Sequence, residues 1–454
     1  MDVLHVIHQF PPETRGGSES YVRDVAALQQ ERGTKVEVLA GSLEGRGDLC
    51  IDEEDVDGLR VHRLHRNDLF FDHHVKAWHP GVTAAFGELL DRLQPSVVHL
   101  HHWVRLSNDL VQTAHDRKIP CVVTLHDYYT SCPRAFRARA DDPACERPVG
   151  GDSCWECVPK YGHESEGELR EGVELFAASY RRELALAHKV LVAVGSTADL
   201  LSRTTGMPRE RYEVMPLGYH RRFAGLDPLP DPQPGEPFRF AFWGGVGRHK
   251  GVHVLVAAFA ELARTQPGIE LHVLGGFESP EYEQELRAAA QGAPVTFHGP
   301  FEHAQVRACA PHCGVFPSTC IETFGIVLDE CFELGLPSIV SDLGALPERA
   351  GNAGLHVPAG DAGALAAAMR RIASEPELRQ SLRAAIPAPP PDLPAHVEQL
   401  EAVYERARTG FGHPQYNPAP EPCAPEVPLA RRLHFLQVQR DSALTRLIPP
   451  GGLS

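Results

Sequence analysis

Short apolar runs recur along the chain, separated by helix-length stretches in which apolar residues return every three or four positions. Val3–Ile7, Lys35–Ala40, Arg60–Leu64, Val97–His101, Cys121–Leu125 and Lys189–Val194 read as buried strands. Ser18–Glu31 reads as a helix turning Val22, Val25 and Ala26 inward. A second series follows Gly218, with strands Phe238–Trp243, Glu270–Leu274, Val295–His298, Gly314–Phe316 and Pro337–Ser341. Its helices are Val252–Ala263, Phe324–Leu334, Asp361–Arg371, Pro376–Ala385 and Val397–Arg408. Strand–helix alternation of this kind predicts an α/β chain with two doubly wound, Rossmann-like domains. Their parallel sheets are covered on both faces and present a ligand cleft at the carboxyl ends of the strands. Residues 1–218 form the first domain and 238–390 the second, joined by a proline-containing link at 219–237. A helix at 391–410 is expected to pack back on the first domain. Residues 411–454 form a proline-rich tail, since 13 of the 39 prolines lie between Pro387 and Ser454.

Composition narrows the function. The 454 residues carry 44 basic and 60 acidic side chains, a net charge of −16. A general nucleic-acid binder needs a basic surface to displace phosphate counterions, so nucleic acid is excluded as a partner. A hydrophobic content of 43% excludes wholesale disorder. The start, MDVLHVIHQFPP, has no basic segment before its apolar residues, and no apolar run approaches the roughly 20 residues of a membrane span. The expected compartment is the cytoplasm. There the 11 cysteines stay mostly reduced, and clustered ones point to metal before disulfide.

The most informative stretch is Pro317–Gly335, PSTCIETFGIVLDECFELG. A strand end, then Glu322, Thr323, Phe324 and Gly325, lead into a helix with Glu330 eight residues beyond Glu322. Free N–H groups at a helix start, with a glycine permitting close approach, make an anion site. If the interval is mostly helical, the two carboxylates lie roughly 10–12 Å apart, at about 1.5 Å per residue, a span that suits a nucleotide sugar. Two glutamates on an amphipathic helix can equally be plain solvated residues.

The wider pattern, PS-x3-ETFGIV-x2-E-x4-G-P-x-I-x-SD-x-GA-x-PE, resembles the donor-site signature of the retaining glycosyltransferases of family four, which have the GT-B fold. Arg239–Phe259 is similar to that family's strand, glycine turn, Lys-Gly and helix. Gly16-Gly17-Ser18-Glu19 and Thr124-Leu125-His126-Asp127 extend the likeness from Met1 to about Ala385. The resemblance implies that Glu322 binds hydroxyls of the donor sugar and that the amides around Thr323, Phe324, Gly325 and Ile326 contact sugar or phosphate. Glu330 would bind the ribose and Lys250 the diphosphate. Gly16 and Gly17 would let their loop approach the donor phosphate, and His126 would face the reacting sugar. A fixed ammonium at Lys250 suits a departing nucleoside diphosphate, on which charge develops. The chain departs from the family at Gly245, where an arginine is usual. Arg248, in the same turn, is the candidate substitute, and the departure bears on donor affinity more than on reaction class. Gly245-Val246-Gly247-Arg248-His249-Lys250 also nearly matches a dinucleotide fingerprint, but Lys250 stands at its third glycine, which argues against NAD.

Cys132, Cys145, Cys154 and Cys157 form C-x12-C-x8-C-x2-C just after the His126-Asp127 pair. Four thiolates with one CxxC pair suit a structural zinc that orders this loop; an iron–sulfur cluster or unliganded cysteines are the other readings. Cys309, Cys313, Cys320 and Cys331 read as small core residues. His99, His101 and His102 at a strand end, and His73-His74 near Trp78, suit a polar cleft rim.

The implied reaction moves a sugar from a nucleoside-diphosphate donor to a hydroxyl acceptor with retention, and needs no catalytic cofactor. Two other readings are a GT-B nucleotide-sugar epimerase and a non-catalytic scaffold in polysaccharide assembly. The arginines of 60–66 and 134–139 are candidates for peripheral contact at the inner membrane face.

Overall fold

A computed structural model describes residues 1–412, apart from residues 15, 43, 45, 67–76, 140–141, 143, 161 and 163, together with 432–433, 436–437 and 440. The His73-His74 pair and nearly all of the proline-rich tail lie outside the described residues. The chain divides into two units. One holds Met1–Ala135, Glu146–Gly218 and the chain from Leu393 onward; the other holds Phe136–Cys145 and Tyr219–Asp392.

The first unit is built on eight strands: β1 (Asp2–Ile7), β2 (Lys35–Gly41), β3 (Ile51–Val56), β4 (Leu59–Leu64), β5 (Val97–Leu100), β6 (Cys121–Leu125), β7 (Lys189–Val192) and β8 (Tyr212–Val214). They run in the order β3-β4-β2-β1-β5-β6-β7-β8, all parallel except β3, which pairs antiparallel with β4. The central strands are buried on both faces, which is why they read as unbroken apolar runs. Two strands escape the sequence pattern. β3, IDEEDV, is a largely exposed acidic edge, joined to β4 by Asp57-Gly58, both at positive φ (54° and 86°). That is the signature of a tight hairpin turn. β8 is an edge of three residues. The helix Leu393–Gly410 belongs to this unit and buries Val397, Leu400, Val403 and Tyr404.

The second unit has six parallel strands, β9 (Phe238–Trp243), β10 (Ile269–Leu274), β11 (Val295–Gly299), β12 (Cys313–Phe316), β13 (Ser338–Ser341) and β14 (Gly354–Val357), in the order β11-β10-β9-β12-β13-β14. Its core joins Phe240, Leu255, Phe259, Val315, Leu328 and Met369, all fully buried. The short edge β14 is not anticipated by the sequence. The expected helix from Phe324 begins only at Val327 and ends at Glu333, because Gly325 adopts φ 78° and leaves the helical region. The helical spacing assumed between Glu322 and Glu330 therefore does not apply. Glu333 anchors the start of the link by accepting from the Tyr219 hydroxyl (2.6 Å) and from the amides of Arg222 (3.0 Å) and Phe223 (3.1 Å).

Candidate active site

β9 and β12 are neighbours in the second sheet, so the turns that leave their carboxyl ends meet. Thr319 ties them together: its amide donates to the His249 carbonyl and its hydroxyl to the Arg248 carbonyl, both at 2.9 Å. Gly251, at φ 69°, lies so close to the Pro317 carbonyl that any Cβ there would strike it. This packing places the Lys250 Nζ 2.6 Å from Glu322 Oε1, which also accepts from Ser318 Oγ at 2.7 Å. Burial by itself would raise the Glu322 pKa, but the Lys250 ammonium outweighs it and holds the carboxyl below its ordinary range. Burial likewise works against the charge on Lys250, and the Glu322 carboxylate overrides it, so the ammonium is held above its usual value. Both charges are therefore present at neutral pH.

Beyond Glu322 the amides of Phe324, Gly325 and Ile326 make no hydrogen bond among the described residues, and the helical pairing starts with Leu328 N–H on the Gly325 carbonyl (3.0 Å). Arg349 holds this loop. It donates to the carbonyls of Phe324 (3.2 Å) and Gly325 (2.8 Å), lies 3.6 Å over the Phe324 ring, and pairs with Asp329. Glu330 is buried, accepts from Trp243 Nε1 at 2.7 Å and bonds His303 Nε2 at 3.0 Å. A carboxylate has about four acceptor positions, so both glutamates keep capacity for ligand hydroxyls.

In the first unit, His126 and Asp127 follow β6. His126 Nε2 bonds His101 Nδ1 at 3.0 Å, and Asp127 Oδ2 bonds His102 Nε2 at 2.9 Å. Burial lowers the His126 pKa to about 4, with Asp127 opposing.

Residues 16–218 match the glycosyl transferase 4-like domain and residues 237–375 the glycosyl transferases group 1 domain. The chain belongs to the group 1 glycosyltransferases. Among its relatives, a glycogen synthase of Mycobacterium tuberculosis is 25% identical over 84% of this chain and 88% of that one. A D-inositol 3-phosphate glycosyltransferase of Nocardia farcinica is 31% identical over 58% and 55%. A sucrose-phosphate synthase structure from Thermosynechococcus elongatus has a TM-score of 0.63 at 20% identity, covering 90% of this chain and all of that one. The fold is GT-B and the enzyme is a retaining glycosyltransferase that takes a nucleoside-diphosphate sugar as donor.

Of this glycosyltransferase's sequence-marked residues, Lys250, Glu322, Thr323, Phe324, Gly325, Ile326 and Glu330 fall on connected turns of the second unit. Arg248 does not point with them. Its guanidinium pairs with Glu285 and lies 4.9 Å over the Tyr282 ring, which already satisfy its charge. Gly245 faces open space on its side-chain side. Gly16 precedes the helix Gly17–Glu31, where Glu19 turns back on it, while a Cβ at Gly17 would meet nothing within 4 Å. Trp243, His303 and Arg349 went unmarked because their partners lie on other elements, and Ser318 because its bond to Glu322 depends on how their shared loop folds; the nearest sequence signal is Arg349's place just after the Pro347-Glu348 pair.

The cysteine set does not gather as a metal site. Among the described residues, three ligand atoms approach within 4.8 Å only in His5/His99/His101 and His272/His298/Cys309. Cys157 Sγ instead receives Arg134 Nη1 at 3.2 Å, and Cys145 belongs to a different unit from the other three. As placed, no three of these four thiols gather around one centre. His99 and His101 are not rim residues either, being 0% and 1% exposed. Three arginines of the basic stretches are turned inward, Arg63 donating to the Phe10 carbonyl at 3.1 Å, Arg66 to that of Leu106 at 2.7 Å and buried Arg137 to that of Cys145 at 2.8 Å, while Arg60 and Arg134 are exposed. No helix among the described residues is long and apolar enough to cross a membrane.

Proposed function

We propose that Lys250 and the amides of Phe324–Ile326 bind the donor diphosphate, Glu322 the hydroxyls of the transferred sugar and Glu330 the ribose hydroxyls. The observation that carries this reading is the Lys250–Glu322–Ser318 contact beside the loop of unused amides held by Arg349. An ammonium has three donors, so Lys250 can keep Glu322 and still meet a phosphate oxygen. As the anomeric C–O bond breaks, negative charge gathers on that phosphate, where a fixed cation and N–H dipoles stabilise it most. The departing phosphate takes the proton of the acceptor hydroxyl, and the acceptor oxygen bonds the anomeric carbon on the face just vacated, which retains its configuration. No metal on the diphosphate is required. The names of the relatives point to a polyhydroxy acceptor, a glycan or a cyclitol.

Glu322→Ala tests the reading. Transfer is expected to fall by at least about 100-fold, the scale of losing one preorganised polar contact, with circular dichroism unchanged. A rate within twofold of wild type would remove Glu322 from the site. Incubation with donor alone should give slow hydrolysis at most; an epimerised nucleotide sugar would favour the epimerase reading.

A further inference from the structure

The second unit gathers three metal-binding side chains that the donor-site residues do not use. His272 lies on β10, and His298 on β11, its parallel neighbour at the edge of the sheet. In the register Val273 is opposite Phe297 and Leu274 opposite Gly299, so His298 is the extra residue of a bulge. A bulge re-aims the side chain it carries. Cys309, expected as a core thiol, follows the helix His303–Ala308 and is only half-buried. The three side chains converge: His298 Nε2 is 3.1 Å from His272 Nδ1 and 3.7 Å from Cys309 Sγ. One ligand atom of each residue lies within 4.8 Å of the other two.

We propose that His272 Nδ1, His298 Nε2 and Cys309 Sγ bind one divalent transition-metal ion, zinc by the chemistry of the set, with water in the fourth position. Tetrahedral zinc, bonded at roughly 2.0–2.1 Å to imidazole nitrogen and 2.3 Å to thiolate sulfur, has N–N edges of about 3.3 Å and N–S edges of about 3.6 Å. The two contacts of His298 Nε2 stand close to those lengths. Imidazole nitrogen and thiolate sulfur select zinc over magnesium or calcium, which take oxygen ligands. On binding, the Cys309 thiol gives its proton to water and coordinates as thiolate, while both imidazoles coordinate neutral. His298 is exposed, which leaves the solvent side open to the ion and its water.

A second observation lies on the far side of His272. Its Nε2 is buried with no hydrogen bond among the described residues, and the Glu270 carboxylate, two residues back on β10, stands 3.8 Å from it. With Nδ1 on a metal, the ring carries its proton on Nε2, and that N–H faces a carboxylate, a common outer partner of metal-bound histidine. Arg239 on β9 holds Glu270 from its other side at 3.5 Å. The histidine triad of the first unit offers no such opening. His5 bonds Gln29 (2.8 Å) and His101 (3.0 Å), and His99 bonds Tyr404 (2.6 Å) and Thr124 (2.8 Å). His101 also bonds His126 at 3.0 Å, so every ring nitrogen of the triad is engaged. Zinc on His272, His298 and Cys309 would clamp β10 and the edge strand β11 to the end of the helix His303–Ala308, whose first residue bonds Glu330. No step of sugar transfer passes through it.

The test uses the full chain, stripped with EDTA and desalted, then titrated with Zn²⁺ against a chromophoric chelator and separately with Co²⁺ as a spectroscopic probe. One equivalent of Zn²⁺ is expected to bind. Co²⁺ should give visible bands of tetrahedral intensity and a thiolate charge-transfer band in the near ultraviolet. Cys309→Ser should abolish the charge-transfer band. His298→Ala and Glu270→Gln should each weaken Zn²⁺ binding by at least about tenfold, the lower scale of outer-shell losses. Cys157→Ser, in the cysteine loop of the first unit, should leave both readouts unchanged. Circular dichroism of the metal-free variants checks that each is folded. A wild type that binds no equivalent of Zn²⁺, or binding unchanged in both Cys309→Ser and His298→Ala, would overturn the site. So would a charge-transfer band that survives Cys309→Ser and disappears in Cys157→Ser.

Discussion

Lys250 and Glu322 stabilise one another's charge in a half-dry setting, so in the proposed site the donor meets groups that are already paired. The pair was legible in the sequence because both residues lie in continuous motifs. The groups that aim them were not: Ser318 acts through a loop contact, and Arg349 reaches back across about twenty-five residues to the Phe324 carbonyl. Gly245 is informative at this scale. A side chain there meets nothing within 4 Å and the backbone is not left-handed, while Arg248 is occupied by Glu285. Gly245→Arg should therefore fold normally and tighten nucleoside-diphosphate binding about tenfold, within the range of a charge-assisted contact. Isothermal titration checks it, and unchanged affinity would mean that the turn does not face the diphosphate.

At the scale of elements, the candidate residues Lys250, Glu322 and His126 follow the carboxyl ends of parallel strands. Apolar runs disclosed the central strands, but β3 was invisible to that pattern because its outward face is acidic, a common protection for a sheet edge. Its Asp57-Gly58 turn was the signal that could have found it. The helix after Glu322 was legible in kind but not in its start, because the positive φ of Gly325 is a demand of the loop. The histidine cluster was visible as residues and not as an arrangement, since His5 and His101 meet only after β1 and β5 pair. That cluster predicts acid lability. Several histidines are held by burial below their unfolded pKa; His5, His126 and His396 stand at about 4. The unfolded chain binds more protons between those values and about 6.5, so stability is full above pH 6.5 and falls as pH drops toward 4. Glu183 works the other way: burial raises it to about 7 while it accepts from Trp103 Nε1 (2.9 Å) and the amides of Val111 (2.7 Å) and Gln112 (3.0 Å). Its contribution is present at low pH and fades as pH rises from about 4.5 to 7. Three histidines outweigh one glutamate, so calorimetry should show a lower midpoint at pH 5 than at pH 7.5. Glu183→Ala, which strands two buried N–H groups and one half-buried one, should cost about 2–4 kcal/mol in a denaturant melt; a loss below half a kcal/mol would show that water replaces the carboxylate.

For the whole molecule, the net charge of −16 excludes a broad polyanion binder yet leaves room for one anionic ligand, because the cationic and N–H groups are local: Lys250 and the loop amides of Phe324–Ile326. A ligand that binds only the folded state raises its stability by about 2.7 kcal/mol at 100 times Kd. The most direct test of the donor site is a thermal-shift panel of UDP, GDP and ADP on wild type and Lys250→Met. One diphosphate should raise the wild-type midpoint by roughly 5–10 °C, at about 2–4 °C per kcal/mol, and Lys250→Met should lose most of that rise. No shift with any diphosphate, or an equal shift in the variant, would contradict the assignment of the donor site to Lys250, Glu322 and Glu330.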